Sequence, residues 1–383
     1  MAARAAIVAT RVKMTRVETM AALAAIALAH ALTAAQVVVD ESGLIVPQFD
    51  SAARFHEEVA RSRWSASPME YVDGASSAVL RHPYTIAHAA EDGELFVASF
   101  TLNHVVRLRW ISGRRAQYKV FVKGRELDGP VGMALESGEL FVASFTNDVV
   151  LRVNASDGAL LGRIGDENTL DCPEGIAIGP DSRLYVASFL LPHLSVFERQ
   201  SGAYLGKFGS IGVPRALTEP SPWAPKMPGP PTLAGAEDLA FDLRGDVHVT
   251  AYYSSAIYKF NGTSGALEYT YGKGLVHGPV GCACDPQSGD IFVSSYRDSK
   301  VLRFTSDGQF VGVAAGVESE HDAARAGGAT AARGSRRART ISSPSGLAFA
   351  DDGTLWVASY ATGAVTRFNS SFGGGRTFWR VTD

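Results

Sequence analysis

The sequence predicts an all-β chain, a six-bladed β-propeller of four-stranded antiparallel blades, on three observations. One hexapeptide recurs six times: LFVASF at 95–100 and 140–145, LYVASF at 184–189, VHVTAY at 247–252, IFVSSY at 291–296 and LWVASY at 355–360. The copies start 45, 44, 63, 44 and 64 residues apart, so two units of a 44-residue period carry insertions. Between copies, apolar and polar residues alternate with period two and are punctuated by Gly, Pro, Asn and Asp. That pattern argues short strands joined by tight turns and leaves no room for a helix.

Each unit reads as the same series of elements. A Pro turn leads into a first strand: HPYTIAH at 82–88, GPVGMAL at 129–135, CPEGIAI at 172–178, GAEDLAF at 235–241, GPVGCAC at 278–284 and SPSGLAF at 343–349. The recurring hexapeptide is the second strand. A short loop precedes a third strand that ends in a basic residue in most copies, as in VVRL, VLRV, IYKF, VLRF and VTRF. A fourth apolar stretch such as LLGRIG, YLGKFG or LEYTYG leads to the next turn. Four strands per 40 to 50 residues make a propeller blade. A lone blade cannot bury both faces, so six neighbours around a ring share one core.

Around the repeats, residues 1–35 read as a secretory signal peptide. Arg4, Arg11, Lys13 and Arg16 precede an apolar run at 20–32, and small residues at 33–35 suit cleavage near Ala35. The run is shorter than the roughly 20 residues that span hydrocarbon, so no stable membrane span is expected. An organelle transit peptide is the alternative. Residues 36–68 form an extension with a short helix expected at 55–63, and the propeller occupies 69–383, with insertions at 210–235 and 314–342. The segment 69–74 (MEYVDG) is expected to close the ring against the last blade, with 377–381 (TFWRV) as its competitor. Closure removes exposed strand edges.

Composition excludes several classes. The chain is 46% hydrophobic and 20% charged, as in a soluble globular protein, with a net charge of −3. A mildly acidic body does not attract phosphate backbones, and no nucleic-acid partner is expected although Arg333, Arg336, Arg337 and Arg339 cluster in the second insertion. Cys172, Cys282 and Cys284 are an odd set and read as small buried hydrophobes without a disulfide.

The recurring GPxGxA, LFVASF and VLRF elements resemble the NHL-repeat class of six-bladed propellers and the secreted repeat propellers of bacteria and algae. That resemblance implies the fold without naming an activity. In such a ring the Pro turn and the loop after strand two share one rim, where functional residues are sought. Candidate binding residues there are Tyr84, Asn103, His104, Asn147, Asp148, His193, Arg297 and Asp298. The residue after the Pro position reads Tyr84, Val131, Glu174, Glu237, Val280 and Ser345, and Asp238 replaces the Gly of the other full repeats. Adjacent blades three and four thus bring carboxylates to one mouth.

Six-bladed lactonases of the SMP-30 type hold a metal with acids and amides from separate strands, and Glu174, Glu237, Asp238 and Asn147 are the analogous choice for one Ca or Zn ion. His82, His104, His193 and His277 map to the same rim, but the HG and GD motifs of the propeller lyase that trims peptidyl-hydroxyglycines are absent. Zinc needs three or more converging ligands. The repeated Ser99, Ser144, Ser188, Ser295 and Ser359 are packing residues of the repeat rather than nucleophiles. Sequons at Asn154, Asn261 and Asn369 fall in the turn between strands three and four, on the opposite rim, and are glycosylation candidates if the chain is secreted. The expected activity is recognition of a protein, peptide or glycan by a monomer with no certain cofactor. A metal-dependent hydrolase or lactonase is the alternative.

Overall fold

The computed structural model describes residues 80–89, 94–112, 115–209, 233, 235–316, 341–368 and 379–380, all within the unit Ala66–Asp383. The leader, the extension, the expected strand at 69–74, most of both insertions and Asn369 lie outside the described residues.

Six four-stranded sheets form, each in simple meander order. Blade one is β1 (Pro83–Ala89), β2 (Glu94–Ser99), β3 (His104–Ser112) and β4 (Arg115–Lys123). Blade two is β5 (Pro130–Glu136), β6 (Glu139–Ser144), β7 (Val149–Asn154) and β8 (Leu160–Ile164), and blade three is β9 (Pro173–Ile178), β10 (Leu184–Ser188), β11 (Leu194–Phe197) and β12 (Tyr204–Phe208). Blade four is β13 (Ala236–Phe241), β14 (Val247–Ala251), β15 (Ala256–Phe260) and β16 (Leu267–Tyr271). Blade five is β17 (Pro279–Cys284), β18 (Ile291–Ser295), β19 (Lys300–Phe304) and β20 (Phe310–Ala315). Blade six is β21 (Pro344–Phe349), β22 (Leu355–Ser359), β23 (Ala364–Phe368) and β24 (Trp379–Arg380). Of the two segments expected to compete for the outer place in blade six, the C-terminal one is there: Thr366 pairs with Arg380 and Arg367 with Trp379.

First strands line the axis, β1 lying beside both β5 and β21, so the ring is closed. Side-chain hydroxyls from the first or second strand of one blade sew it to the first strand of the next. Thr250 Oγ1 donates to Val280 O over 2.6 Å, Ser294 Oγ to Ser345 O over 2.7 Å and Ser345 Oγ to Pro83 O over 2.9 Å. The last of these joins blade six to blade one. The Gly of the GPxG turn is required by the same close approach. A Cβ on Gly132 would stand 1.9 Å from Glu174 O, and one on Gly281 2.2 Å from Ser345 O.

The hexapeptide strand is buried throughout because a blade packs on each of its faces. Outer strands such as β8 and β12 are largely exposed, which explains their weaker hydrophobic signature. Apolar clusters bridge neighbouring blades, with Phe96, Val105 and Phe121 of blade one meeting Met133, Leu140 and Leu151 of blade two. Burying each such side chain contributes roughly 1.5–3 kcal/mol. The basic residue of strand three has a structural task. Arg107 Nε donates to Glu94 Oε2 over 2.6 Å and Arg152 Nη2 to Glu139 Oε1 over 2.6 Å. Arg303 and Arg367 stack over Phe292 and Trp356 at 5.7 and 5.6 Å.

Candidate functional site

One rim is built from three bonds that recur around the ring. The N–H of the hexapeptide's last residue donates to the carbonyl of the residue preceding the Pro position in all six blades, from Phe100 to His82 and Phe145 to Gly129 through Tyr360 to Ser343. The Ser before it binds the turn's backbone: Ser99 Oγ accepts from Arg81 N at 2.9 Å, Ser144 Oγ from Asp128 N at 2.8 Å and Ser295 Oγ from His277 N at 2.8 Å. These three serines hold turns in place, whereas Ser359 Oγ in blade six is buried without a hydrogen-bond partner. In the third bond, a residue in the left-handed region before strand three accepts an N–H from the next blade. Asn103 Oδ1 takes Gly129 N at 2.9 Å and Asp148 Oδ1 takes Cys172 N at 2.7 Å. Ser255 and Ser299 make the same latch to Gly278 and Ser343.

A register shift follows the Pro position in every first strand, between Pro83 and Ile86, Pro130 and Met133, Pro279 and Cys282, and their equivalents. Such a bulge re-aims the side chains inside it. Here it turns Tyr84, Glu174 and Glu237 toward the axis. Tyr84 Oη donates to Glu237 Oε2 over 2.7 Å, from blade one to blade four. Glu174 and Glu237 are 3% and 2% exposed, and Glu174 Oε2 and Glu237 Oε1 have no hydrogen-bond partner. Burial and the neighbouring Glu237 hold the Glu174 carboxyl well above the usual range, and burial raises Glu237 to about 8. Both shifts favour the protonated, neutral form of the acid. Desolvation of the charged form is the dominant cause.

Aromatic rings surround this pair. Tyr84 meets Phe100 at 5.7 Å and Tyr360 at 6.3 Å between centroids, and Tyr296 meets Tyr360 at 6.0 Å. Tyr252, Tyr253 and Tyr296, raised chiefly by burial, all lie within electrostatic reach of the Glu237 carboxyl. Sequence reasoning overlooked this aromatic set, although its signal was the sixth letter of the hexapeptide, which is Phe or Tyr in every copy.

The other expected residues have separate surroundings. Asp238 is half-buried beside the acids, but its carboxylate accepts from Leu239 N at 2.9 Å and from Cys282 N of the next blade at 3.0 Å. Burial lifts it to about 7. Asn147 Nδ2 donates to Glu126 O over 2.9 Å. The expected cation set of Glu174, Glu237, Asp238 and Asn147 therefore does not assemble. Among the described residues, the group that brings three acidic, His or Cys donors within 4.8 Å is Asp148, Asp171 and Cys172. There Asp148 is the latch just described, and burial pushes the Cys172 thiol far up, away from the thiolate that binds metals.

Arg297 Cζ lies 4.8 Å over the Tyr252 ring. Asp298 Oδ2 meets His277 Nδ1 at 2.7 Å and accepts from Ser295 Oγ over 2.6 Å. His82 stacks on Tyr360 at 4.5 Å, while His104 and His193 are buried, so the four rim histidines do not converge. Burial lowers His82 and His193 to about 4. Asn154 and Asn261 accept from the N–H of Ser156 and Thr263, shaping their own turns. All three cysteines are free, and of the three expected to be buried only Cys282 is, Cys172 and Cys284 being half-buried.

No family model and no curated protein sequence matches the chain. Among solved structures, a streptogramin B lyase is 13% identical with a TM-score of 0.52, the match covering 79% of this chain and 83% of that one. Hydrazine synthase of Kuenenia stuttgartiensis is 15% identical at a TM-score of 0.51, over 76% of this chain and 97% of that one. Virginiamycin B lyase from Staphylococcus aureus is 12% identical at a TM-score of 0.49, over 79% and 84%. At such identities the likeness is one of fold, and the chain is a six-bladed β-propeller.

Proposed function

We propose that the chain is a secreted, NHL-like propeller that recognises a protein, peptide or glycan at the rim carrying the Pro turns, without catalysis of its own. The observation that carries this reading is the contrast within one rim. Repeated Ser, Asn and Asp groups are engaged in holding the scaffold, while the axis positions vary and leave Glu174 Oε2 and Glu237 Oε1 unpartnered. A rigid frame with unlike residues at its centre is the usual layout of a recognition surface. The leader supports export, and sequons on the opposite rim would keep sugars clear of the ligand.

The metal-dependent hydrolase reading is weaker. Calcium takes six to eight oxygen ligands, and the four residues expected to supply them do not fit, because Asp238 and Asn147 are engaged elsewhere.

The test is binding of the purified chain to peptide and glycan arrays, beside Arg297→Ala and Arg163→Ala variants. Arg297 lies on the Pro-turn rim, and Arg163 is an exposed residue of β8 paired with Glu126. Loss of a ligand with the first variant and not the second supports the reading. Equal binding by all three, or turnover of a lactone and ester panel, overturns it.

A further inference from the structure

We propose that Glu174, Glu237 and Tyr84 form a site for a primary ammonium group, carried by a lysine side chain or a free alkylamine, at the axis of the Pro-turn rim. The inference rests on the recognition reading above and names the chemistry recognised at its centre.

An ammonium offers three hydrogens and accepts none. The axis offers acceptors to match: Glu174 Oε2 and Glu237 Oε1, both buried and unpartnered, and a lone pair on Tyr84 Oη, whose own hydrogen is already directed to Glu237. A buried carboxyl oxygen without a partner costs stability, and natural structures keep few of them. Two on facing groups from different blades mark a place where a donor belongs. The surrounding rings supply what a metal ion does not need and an organic cation does. Aromatic faces attract ammonium and guanidinium groups, and this rim already holds one such pair, Arg297 over Tyr252. A hard cation finds too few oxygens here, since Asp238 is bound to two backbone N–H groups.

The charges around the site are few. Glu174 comes from β9, Glu237 and Asp238 from β13, and Tyr84 from β1. Tyr252, Tyr253 and Tyr296 follow the second strands of blades four and five, and Arg297 sits at the edge, on Tyr252. The three remaining axis positions, Val131, Val280 and Ser345, carry no charge. Glu237 rises to about 8 through burial, so ammonium binding at neutral pH converts a carboxylic acid to carboxylate and releases its proton. Affinity then increases with pH, because alkylammonium stays charged to about pH 10 while the acid ionises unaided.

The experiment is calorimetry on the full chain at pH 6.5 and 8.5. Its titrants are n-butylammonium chloride, an end-blocked pentapeptide with one central lysine, the same peptide acetylated on Nε, and calcium chloride. Binding of an ammonium probe at one per chain is expected, tighter at pH 8.5, with no heat from the acetylated peptide. Proton release is read from the difference between phosphate and Hepes buffers, neither of which carries a primary amine. Glu237→Gln is expected to weaken binding about tenfold, the loss of one charge-assisted bond. Should that variant fail to fold, Tyr84→Phe and the pH dependence of the unaltered chain carry the same test. Tighter binding of the peptide identifies a lysine side chain as the source, and binding of butylammonium alone identifies a free amine.

No binding of either ammonium probe overturns the inference, and so does calcium binding that Glu237→Gln abolishes. A rim ligand found on the arrays whose affinity ignores Glu237→Gln also overturns it, while leaving the recognition reading intact. Ammonium binding without any array ligand reverses that outcome.

Discussion

Tyr84 of blade one and Glu237 of blade four stand on opposite sides of the six-membered ring, and a 2.7 Å hydrogen bond joins them across its axis. The bond is buried, and the Tyr84 hydroxyl is the partner that the Glu237 carboxyl finds. Tyr84→Phe keeps the ring's packing against Phe100 and Tyr360 and removes only the hydroxyl. It should destabilise the propeller by about 1–3 kcal/mol, the cost of leaving a buried polar group without its partner. A urea titration measures this as a lower midpoint at unchanged slope. An unchanged midpoint would mean that the hydroxyl bond adds nothing to the ring.

The axis acids make stability depend on pH in a particular direction. In the unfolded chain Glu237 ionises near its ordinary value of 4.5, whereas in the ring it holds its proton to about 8. The folded state therefore binds more protons than the unfolded state between these values, and stability falls as pH rises through them. Glu174 is shifted in the same direction. Replacing both by Gln substitutes a neutral amide for a neutral acid, so the double variant should fold and lose less stability between pH 5 and 8.5 than the parent. Thermal midpoints across that range test it, and parallel curves for the two proteins would refute the assignment.

Glycines on the inner and outer strands of one blade should differ sharply. A Cβ on Gly132 would lie 1.9 Å from the Glu174 carbonyl of the next blade, while one on Gly162 in β8 would have nothing within 4 Å. Gly132→Ala forces two first strands apart and is expected to cost about 3 kcal/mol or more, within the range of overpacked cores. Gly162→Ala should be neutral or raise stability slightly by narrowing the unfolded ensemble. Denaturant midpoints of the two variants settle the comparison, and similar losses in both would argue against close approach at the axis.

The inter-blade latches offer a fourth test. Asn103 and Asp148 have φ values of 52° and 51°, so Gly is the substitution that removes the latch without adding strain. Asp148→Gly should cost about 0.5–1.5 kcal/mol, the net worth of one hydrogen bond, and Asn103→Gly somewhat more, because Asn103 Nδ2 also donates to Asp128 Oδ1 over 2.8 Å. Hydrogen exchange gives the sharper readout. Gly129 N–H should lose protection in the first variant and Cys172 N–H in the second.

These latches also show where sequence reading stops. The blades were legible because the alternating hexapeptide returns six times, and the shared-rim rule placed Tyr84, Glu174 and Glu237 at one mouth. Which of them meet depends on how the ring closes, and blade one faces blade four only once six blades are in place. Asn103 and Asp148 looked like free rim polars because residue type does not reveal that a left-handed backbone turns the side chain onto the next blade's N–H. Asp238 misled in a similar way. Standing where other repeats have Gly, it reads as a third acid, yet both its hydrogen bonds are to backbone.

Blade four departs from its neighbours at Lys259, and the departure is testable. The side chain is 2% exposed, with Nζ 3.0 Å from Asp246 Oδ2 and 3.5 Å from Asp242 Oδ2. Asp242 in turn meets His248 Nε2 at 3.3 Å, and His248 Nδ1 lies 2.8 Å from Tyr271 Oη. Hydrogen bonds from His248 and from the Asp246 and Arg244 backbone outweigh burial and hold the Asp242 carboxyl far below its usual range. Lys259→Met leaves these carboxylates without their buried cation, and removing one member of such a group costs about 3–5 kcal/mol. Arg303 makes the equivalent contact to Asp290 in blade five but is 28% exposed, so Arg303→Met should cost less because water solvates the remaining carboxylate. Equal losses in urea would mean that the buried lysine contributes through the packing of its stem, and the acid below it would then be held by His248 and the backbone alone.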